Sequence, residues 1–465
     1  MMSRSCQDDA SLFSEESTLK RDLGLTEAVS IVIGRIIGSG IFRTPAPIMA
    51  LVVSTSLFGL VWVVGGVVTI FCAACYAELV AMMPKSGGPY VYLKAAYHPM
   101  VPFLRGWAMF FVSETASIAA VALVFAEYAS SLYTVFFGEP LGKIFLVSLA
   151  LAAIWLLTAV NCFGVYLSGI VQNIFSTIKI VAIVFIIVTC FSAHGNIANF
   201  TTPLWPETLS WSTLLAVGAA LRYSFFAFSG WEGATYVAEE VRNPRRNLPL
   251  SLFLGIGGVM LLYIGVNAAY IYQLPAEVVA RSPWVATDAM VHAVGAVGGV
   301  MISVAVMMNT FGNVSTQILC KARTWQAMAG DGLFLDVLSP IHKKYKTPNN
   351  ALLGQAMWAS VLLIFAAFNK NSYETIIDFF SANGTVFNIL TLLSLVILRK
   401  KYPHAERPYR AWLYPYSLIA VIIIYSVFLV ITLITAFIPS MLGLLITSTG
   451  LIYYFWKVRH RECRE

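Results

Sequence analysis

Residues 28–53 read AVSIVIGRIIGSGIFRTPAPIMALVV, and the fold turns on how this stretch is understood. It is long enough to cross a bilayer, for which about 20 apolar residues suffice. Yet Gly34, Gly38 and Gly40 interrupt it, Pro45 and Pro47 follow, and Arg35 and Arg43 stand between them. Glycine and proline inside a helix cost roughly 1 and 3 kcal/mol, and a helix that merely spans has no use for them. Gly38-Ser39-Gly40 reads as an unwinding that bares backbone N–H and C=O groups. In a membrane this is tolerated only where protein or a water-filled cavity satisfies those groups. The stretch is expected to form half of a binding site.

The rest of the chain fits a membrane setting. Hydrophobic residues make up 58% of 465 and charged residues 11%, with a mean hydropathy of +0.77. Soluble domains lie nearer about 45–50% and 25%, so a polytopic membrane protein is expected. The start, MMSRSCQDDASLFSEE, lacks the short apolar core and cleavage pattern of a secretory signal. It is expected to be a disordered tail. Cys6, Cys72, Cys75, Cys162, Cys190, Cys320 and Cys463 lie mostly within apolar segments. Cys72-x-x-Cys75 has no second pair or nearby histidine, so packed thiols are expected rather than a zinc or redox site.

Twelve apolar stretches follow one another, at 28–53, 57–81, 102–134, 141–162, 168–193, 213–241, 249–273, 285–313, 348–368, 373–398, 412–435 and 438–456. With both termini placed inside, the inner loops and tails take nearly all the Lys and Arg. The outer side keeps only Lys143, Arg281 and Lys370. This is the positive-inside pattern. It accounts for the formal charge of +7 without a nucleic-acid partner. Between spans 2 and 3, MPKSGGPYVYLKAAYHP (83–99) suits a re-entrant or interfacial segment. After span 8 a helix is expected to run on into the cytoplasm and stop near Gly330-Asp331-Gly332.

Span 6 is broken in its turn. In LLAVGAALRYSFFAFSGWEGATYVAEEVRNPRRNLP (214–249), Ser229-Gly230 and Gly233 interrupt the helix, with Glu232 beside them. Two glycine-broken segments in corresponding positions point to a transporter built of inverted repeats. Spans 1–5 (23–193) and 6–10 (194–398) form the repeats. Spans 11–12 (399–456) are additions, and 1–22 and 457–465 are cytoplasmic tails. A half-helix N-terminus with free N–H groups suits a carboxylate, and carbonyls at the opposing end suit an ammonium. Together they receive a zwitterionic amino acid. Glycines that serve only helix packing are the plainer explanation, and Gly34-x-x-x-Gly38 fits it, but the matched pair of breaks favours a site.

GSGIF (38–42), FAFSGWE (226–232) and EEVRNPRRNLP (239–249) resemble the L-type amino-acid transporter family of the amino acid–polyamine–organocation superfamily, which has the LeuT fold. PKSGGPYVYL (84–93), SPIHKKYKTPNNALL (339–353) and RPYR (407–410) match its pattern too. The resemblance implies an all-α membrane protein with twelve transmembrane helices, a 5+5 inverted repeat with helices 1 and 6 broken, and two extra C-terminal helices. It implies that Ser39, Gly40 and Ile41 bind the substrate carboxylate through N–H groups. Ile37, Phe226, Ala227 and Ser229 would offer carbonyls to the ammonium. Phe226 takes the place of an aromatic gate. Lys179, mid-span in VQNIFSTIKIVAIVFIIV, stands where sodium-coupled relatives of this fold hold a cation between spans 1, 5 and 8. It is expected to reach carbonyls near Gly34 and Gly38, and the environment of Asn313 or Ser315, which implies sodium independence.

Three charges depart from the family's pattern. Arg35 stands where a small hydroxyl residue is usual, and Glu114 where several relatives carry a cation. Arg222 lies one turn before the second break. Arg35 either crowds the site, pairs with Glu114 or faces elsewhere. Glu114 either alters side-chain selectivity or, as the favoured expectation, pairs with Arg35 or Arg222 as a structural or gating pair. Arg222 is itself a candidate gate element. Glu239 and Glu240 with Arg242, Arg245 and Arg246 form either an inner salt-bridge network or a solvated helix end. Glu78 and Asp378 are further candidates for buried pairing.

Serine at position 229 argues for neutral substrates, where a carboxylate would favour cationic ones. The expected activity is exchange of L-amino acids by alternating access, in the plasma membrane or a bacterial inner membrane, with no cofactor or metal. The alternatives are proton-coupled uptake, or antiport of cationic amino acids or polyamines with Glu114 and Glu232 as protonatable groups. A sensor would carry a longer cytoplasmic domain. No HExxH, paired histidine ligands or nucleophile elbow points to an enzyme. In animal members of the family an outer-loop cysteine after span 3 crosslinks a heavy chain. The loop YTVFFGEPLGK (133–143) has none, so no covalent heavy-chain partner is expected. Asn199-Phe200-Thr201 is a sequon in an outer loop.

Overall fold

A backbone in lipid must satisfy its own polar groups, which leaves helices for a chain of this composition. The computed structural model of the chain describes residue 13 and residues 21–458, except 164–165, 207–208, 331, 333, 346 and 370, and except the side chains of 166–178 and 457–458. The described residues form eighteen α-helices and no named strand. The first apolar stretch yields α1 (Leu25–Ile36), α2 (Gly40–Arg43) and α3 (Pro45–Val52). Then come α4 (Thr55–Met82), the short α5 (Pro89–Ala96), and α6 (Met100–Ala108), joined through a π turn (Met109–Ser113) to α7 (Glu114–Phe137). The first half closes with α8 (Lys143–Cys162) and α9 (Tyr166–Ser192).

The second half opens with α10 (Trp211–Ala227), which passes into a 3-10 segment (Trp231–Glu240). Long α11 (Pro244–Gln273), short α12 (Ala276–Arg281) and α13 (Val285–Val294), and α14 (Ala296–Gly330) follow. The chain ends with α15 (Asn349–Ala367), α16 (Ser372–Lys401), α17 (Tyr416–Thr435) and α18 (Phe437–Tyr453).

Eleven helical segments among the described residues are long and apolar enough to cross a membrane. The fifth expected span falls on α9, whose described side chains begin at Lys179. The eighth needs correction. Gly295, at φ +77, closes α13 and separates it from the 35-residue α14, so the span begins at Ala296 rather than at 285. As expected, α14 runs to Gly330; Asp331 lies outside the described residues. So do nearly all of the two expected tails, and so do Lys346 and Lys370.

Two ends of the bundle differ in charge. At the basic end, Glu78 of α4 is wholly buried and grips Arg399 through two hydrogen bonds of 2.8 and 2.6 Å. It also accepts the N–H of Ala411 at 2.8 Å and lies 3.6 Å from Arg407. The RPYR run is thus the loop that wraps this carboxylate, and Glu78 has the buried partner expected of it. Leu23 pairs with Val241 through main-chain bonds to Glu240 and Arg242. Glu239 faces Lys85 at 3.9 Å and Arg245 meets Glu406 at 2.7 Å. The charges that end span 6 therefore tie neighbouring segments together. At the opposite end Asn199 is buried, beside a turn docked on α4 through the Thr55 hydroxyl.

Candidate functional site

The helix that begins at Leu25 stops at Ile36 because Ile37 turns to extended backbone, at φ −71 and ψ 90. Helical geometry resumes at Gly40 and, through Thr44, runs on into α3, with prolines in its first turn where the missing N–H does no harm. The second break follows the same logic. Phe228 ends α10, Gly230 takes φ +91, and the chain resumes in a 3-10 turn at Trp231.

The two breaks cross each other. A Cβ on Gly40 would lie 2.6 Å from the Ala227 Cα, so here backbone packs on backbone. A Cβ on Gly230 would lie 2.8 Å from the Arg35 carbonyl oxygen. At these two positions glycine is required by closeness, and at Gly230 also by its positive φ.

The crossing leaves polar backbone groups bare. Among the described residues, the N–H groups of Gly38 and Ser39 have no acceptor and the carbonyls of Ile37 and Ser229 have no donor. Gly40 and Ile41 occupy the first turn of α2, where N–H groups have no acceptor in a preceding turn. The Ser39 hydroxyl is buried and unpartnered, as is the Asn309 side-chain oxygen. Asn309 approaches from α14, its amide 3.4 Å from the Gly38 carbonyl. Two expected acceptors are already engaged. The Phe226 carbonyl takes the Ser229 N–H at 3.0 Å. The Ala227 carbonyl takes the Tyr263 hydroxyl at 3.1 Å. Each retains a second lone pair. Tyr263, on α11, also lies 3.2 Å from the Ile36 carbonyl, so one phenol bridges both breaks.

Lys179 donates to the Gly34 carbonyl at 3.2 Å. Of the two carbonyls expected for it, Gly34 is the one it reaches, while the Gly38 carbonyl accepts from Asn309. Asn313 lies against Gly38, where a Cβ would meet its amide at 2.8 Å, and Ser315 accepts from Asn161. Among the described residues neither of them bonds Lys179.

The favoured pairing of Glu114 with Arg35 or Arg222 is corrected, and of the alternatives for Arg35 the one in which it faces elsewhere is found. Arg35 lies over the Tyr236 ring, 5.2 Å from its centre. Glu114, placed by the π turn before it, pairs with Lys321 of α14. Arg222 pairs with Asp378 at 3.2 Å and donates to Thr435 at 2.9 Å. Asp378 thus has the partner anticipated for it, from an unanticipated residue.

On the other side of the breaks lies a network not seen in the sequence. Arg43 ends α2 and is 8% exposed. It binds Glu127 of α7 at 2.9 Å and Glu374 of α16 at 3.0 Å, and lies 4.9 Å from the centre of the Tyr373 ring. Phe226 leans on the same ring at 6.1 Å and on Phe380 at 5.7 Å. The aromatic expected as a gate therefore joins a charged cluster that caps the breaks. Ser229, expected to face a ligand side chain, has an exposed side chain.

A helical bundle with two crossed, unwound segments and bare backbone groups between them defines a membrane permease of secondary-transporter type. The comparison with known families is more specific. The family described as amino acid permease matches residues 23–457, and the chain belongs to it. The human b(0,+)-type amino acid transporter 1 is 31% identical over 466 residues, covering 98% of this chain and 92% of the relative. The rat large neutral amino acids transporter small subunit 2 is 31% identical over 441 residues, covering 94% and 80%. The family is one of permeases, not of enzymes.

Proposed function

We propose that this chain is a sodium-independent exchanger of neutral L-amino acids, working by alternating access on a 5+5 repeat with two added helices. The crossing of the two breaks carries the reading. It brings the N–H groups of residues 38–41 and the carbonyls of Ile37 and Ser229 into one region, which suits an α-carboxylate and an α-ammonium. Phe226, Ala227, Ser39, Gly40 and Ile41 are the remaining contacts. Lys179 on the Gly34 carbonyl supports sodium independence, because a fixed ammonium there takes the role of a bound cation. The pairing of Glu114 with Lys321 leaves it poorly placed as a free proton carrier.

In this reading the basic end faces the cytoplasm, and the Arg43 cluster with Phe226 closes the outer side. The names of the relatives favour amino acids as cargo, and "small subunit" marks one group as part of an assembly. The loop 133–143 of this chain has no cysteine, so any partner there is held without a disulfide. The test is counterflow in proteoliposomes, with labelled amino acid outside and each of the twenty amino acids inside in turn. Neutral amino acids should drive uptake whether or not sodium is present. Uptake into empty vesicles driven by a pH gradient would overturn exchange, and sodium dependence would overturn the role of Lys179.

A further inference from the structure

We infer that Asn309, Asn313, Gln317 and Lys321 mark the route by which the amino acid passes between the breaks and the basic end, and that the Glu114–Lys321 ion pair bars it. The four residues stand four apart on α14, and side chains at that spacing share one helix face. The assignment of the route to an amino acid rests on the transport reading; the bar itself does not.

This face starts at the first break. The Asn309 amide lies 3.4 Å from the Gly38 carbonyl, and the Asn309 side-chain oxygen is buried and unpartnered. Asn313 lies against Gly38, and its side-chain oxygen accepts from Gln317 at 2.8 Å. Lys321, one turn further, pairs with Glu114 of α7. From Asn313 to Lys321 is about 12 Å along the helix axis. Beyond it Met328 packs on Gly106 of α6, on the side where Lys401 holds the Ala95 carbonyl. The stripe therefore leads from the break toward the basic end. Asn313 and Gln317 are half-buried within a membrane span. Earlier on α14 the exposed residues Met301, Val304 and Met308 are apolar, as a lipid face requires. Polar side chains at such depth face the bundle interior or a water-filled cavity and mark substrate routes.

The pair is placed to part. Arg35 of α1 and Arg105 of α6 lie within electrostatic reach of Lys321, so Glu114 holds an ammonium that two guanidinium groups repel. Arg35 itself rests on Tyr236 and fills the space beside Gly233, on the segment after the second break. A shift of α1 against that segment moves Arg35 and changes the field on the pair. While the pair is made, its two side chains block the stripe. When it breaks, water and the amino acid reach Gln317 from the basic end. Arg35 thereby couples the first break to the bar.

The experiment reads water at Gln317. The full chain without its own cysteines, carrying Gln317→Cys, is reconstituted in proteoliposomes and treated on both sides with a hydrophilic methanethiosulfonate. Glu114→Gln should speed the reaction by about tenfold or more, the effect of losing a hydrogen bond between charges. Glu114→Lys combined with Lys321→Glu should return it to the slow rate, which a merely structural loss at either position would not allow. Asn313→Cys, one turn nearer the break, should follow the same order of rates. Bulky modification of the cysteine at 317 should then stop counterflow. Equal rates with the pair intact, broken and swapped would overturn the bar. No reaction in any of the three would overturn the water-filled passage. Counterflow unchanged by complete modification would overturn the route. Flux absent from every sample before modification would overturn the transport reading, while the reaction rates still decide the bar.

Discussion

Lys179 is the residue whose contact was most legible in the chain, and the reason is energetic. A charge at the centre of a membrane helix costs about 2.5–3.5 kcal/mol on insertion scales, so it must have something to hold. Its hold is the Gly34 carbonyl at 3.2 Å. A hydrogen bond from a charged donor is worth about 1.5–3 kcal/mol. Lys179→Ala should therefore cut counterflow by about tenfold or more, with expression and membrane insertion kept. Flux near that of the original chain would remove the tether from the mechanism. Arg43 shows the opposite case. Its carboxylates come from 84 and 331 residues away, so no local spacing announced them. Glu114 stands out in the sequence as an odd charge, but its partner Lys321 comes from a distant helix that no local spacing ties to it. Its helix, α14, places that lysine 9% exposed against α7. Tyr263 gave no signal at all, since a tyrosine in an apolar span looks like packing until its hydroxyl is seen between two carbonyls.

The breaks were legible as elements because glycine and proline clusters are costly in a spanning helix and occurred twice. Their crossing was not, because it depends on how distant segments approach. Gly40 tests that approach. Its absent Cβ would fall 2.6 Å from the backbone of Ala227, which belongs to the other break and has no flexible chain end to yield. Gly40→Ala should push the two segments apart and carry the α2 N–H groups away from the span 6 carbonyls. Affinity for the transported amino acid should fall by about tenfold or more, the factor that corresponds to about 1.4 kcal/mol. The thermal midpoint should move less, because the bulk of the bundle is untouched. Binding by calorimetry and a melting curve on the same sample separate the two effects, and unchanged affinity would remove the close crossing from the account. Span 8 was misread at its start for a related reason. Gly295 sits among small apolar residues and looks like a packing glycine, yet its φ of +77 ends one helix before the next begins. The Glu78 anchor shows how a motif becomes physical. RPYR was recognisable as a pattern, but its purpose appears only when Arg407 and the Ala411 N–H are found around a fully buried carboxylate.

At the scale of the molecule the governing feature is the asymmetry of charge between the two ends. Arg242, Arg245, Arg399, Lys401 and Arg407 gather at one end, where they tie the start of α1, the end of span 6 and the loop after α16 into one layer. Lys143 lies at the other end, bound to the Asn369 carbonyl. Lys and Arg in short loops bias insertion toward the cytoplasm, so the basic layer should be internal and the Arg43 cluster should face outward. The prediction can be read by chemical labelling. In a background without other thiols, Lys143→Cys and Arg242→Cys are exposed separately to a membrane-impermeant maleimide on intact cells. Lys143→Cys should label at once, and Arg242→Cys only after the membrane is opened. The reverse order would turn the molecule over. The Phe226–Tyr373–Arg43 cap would then become an inner gate. Labelling of both positions without opening the membrane would show that cells insert the chain in both orientations. In that case the balance of Lys and Arg would not decide topology here.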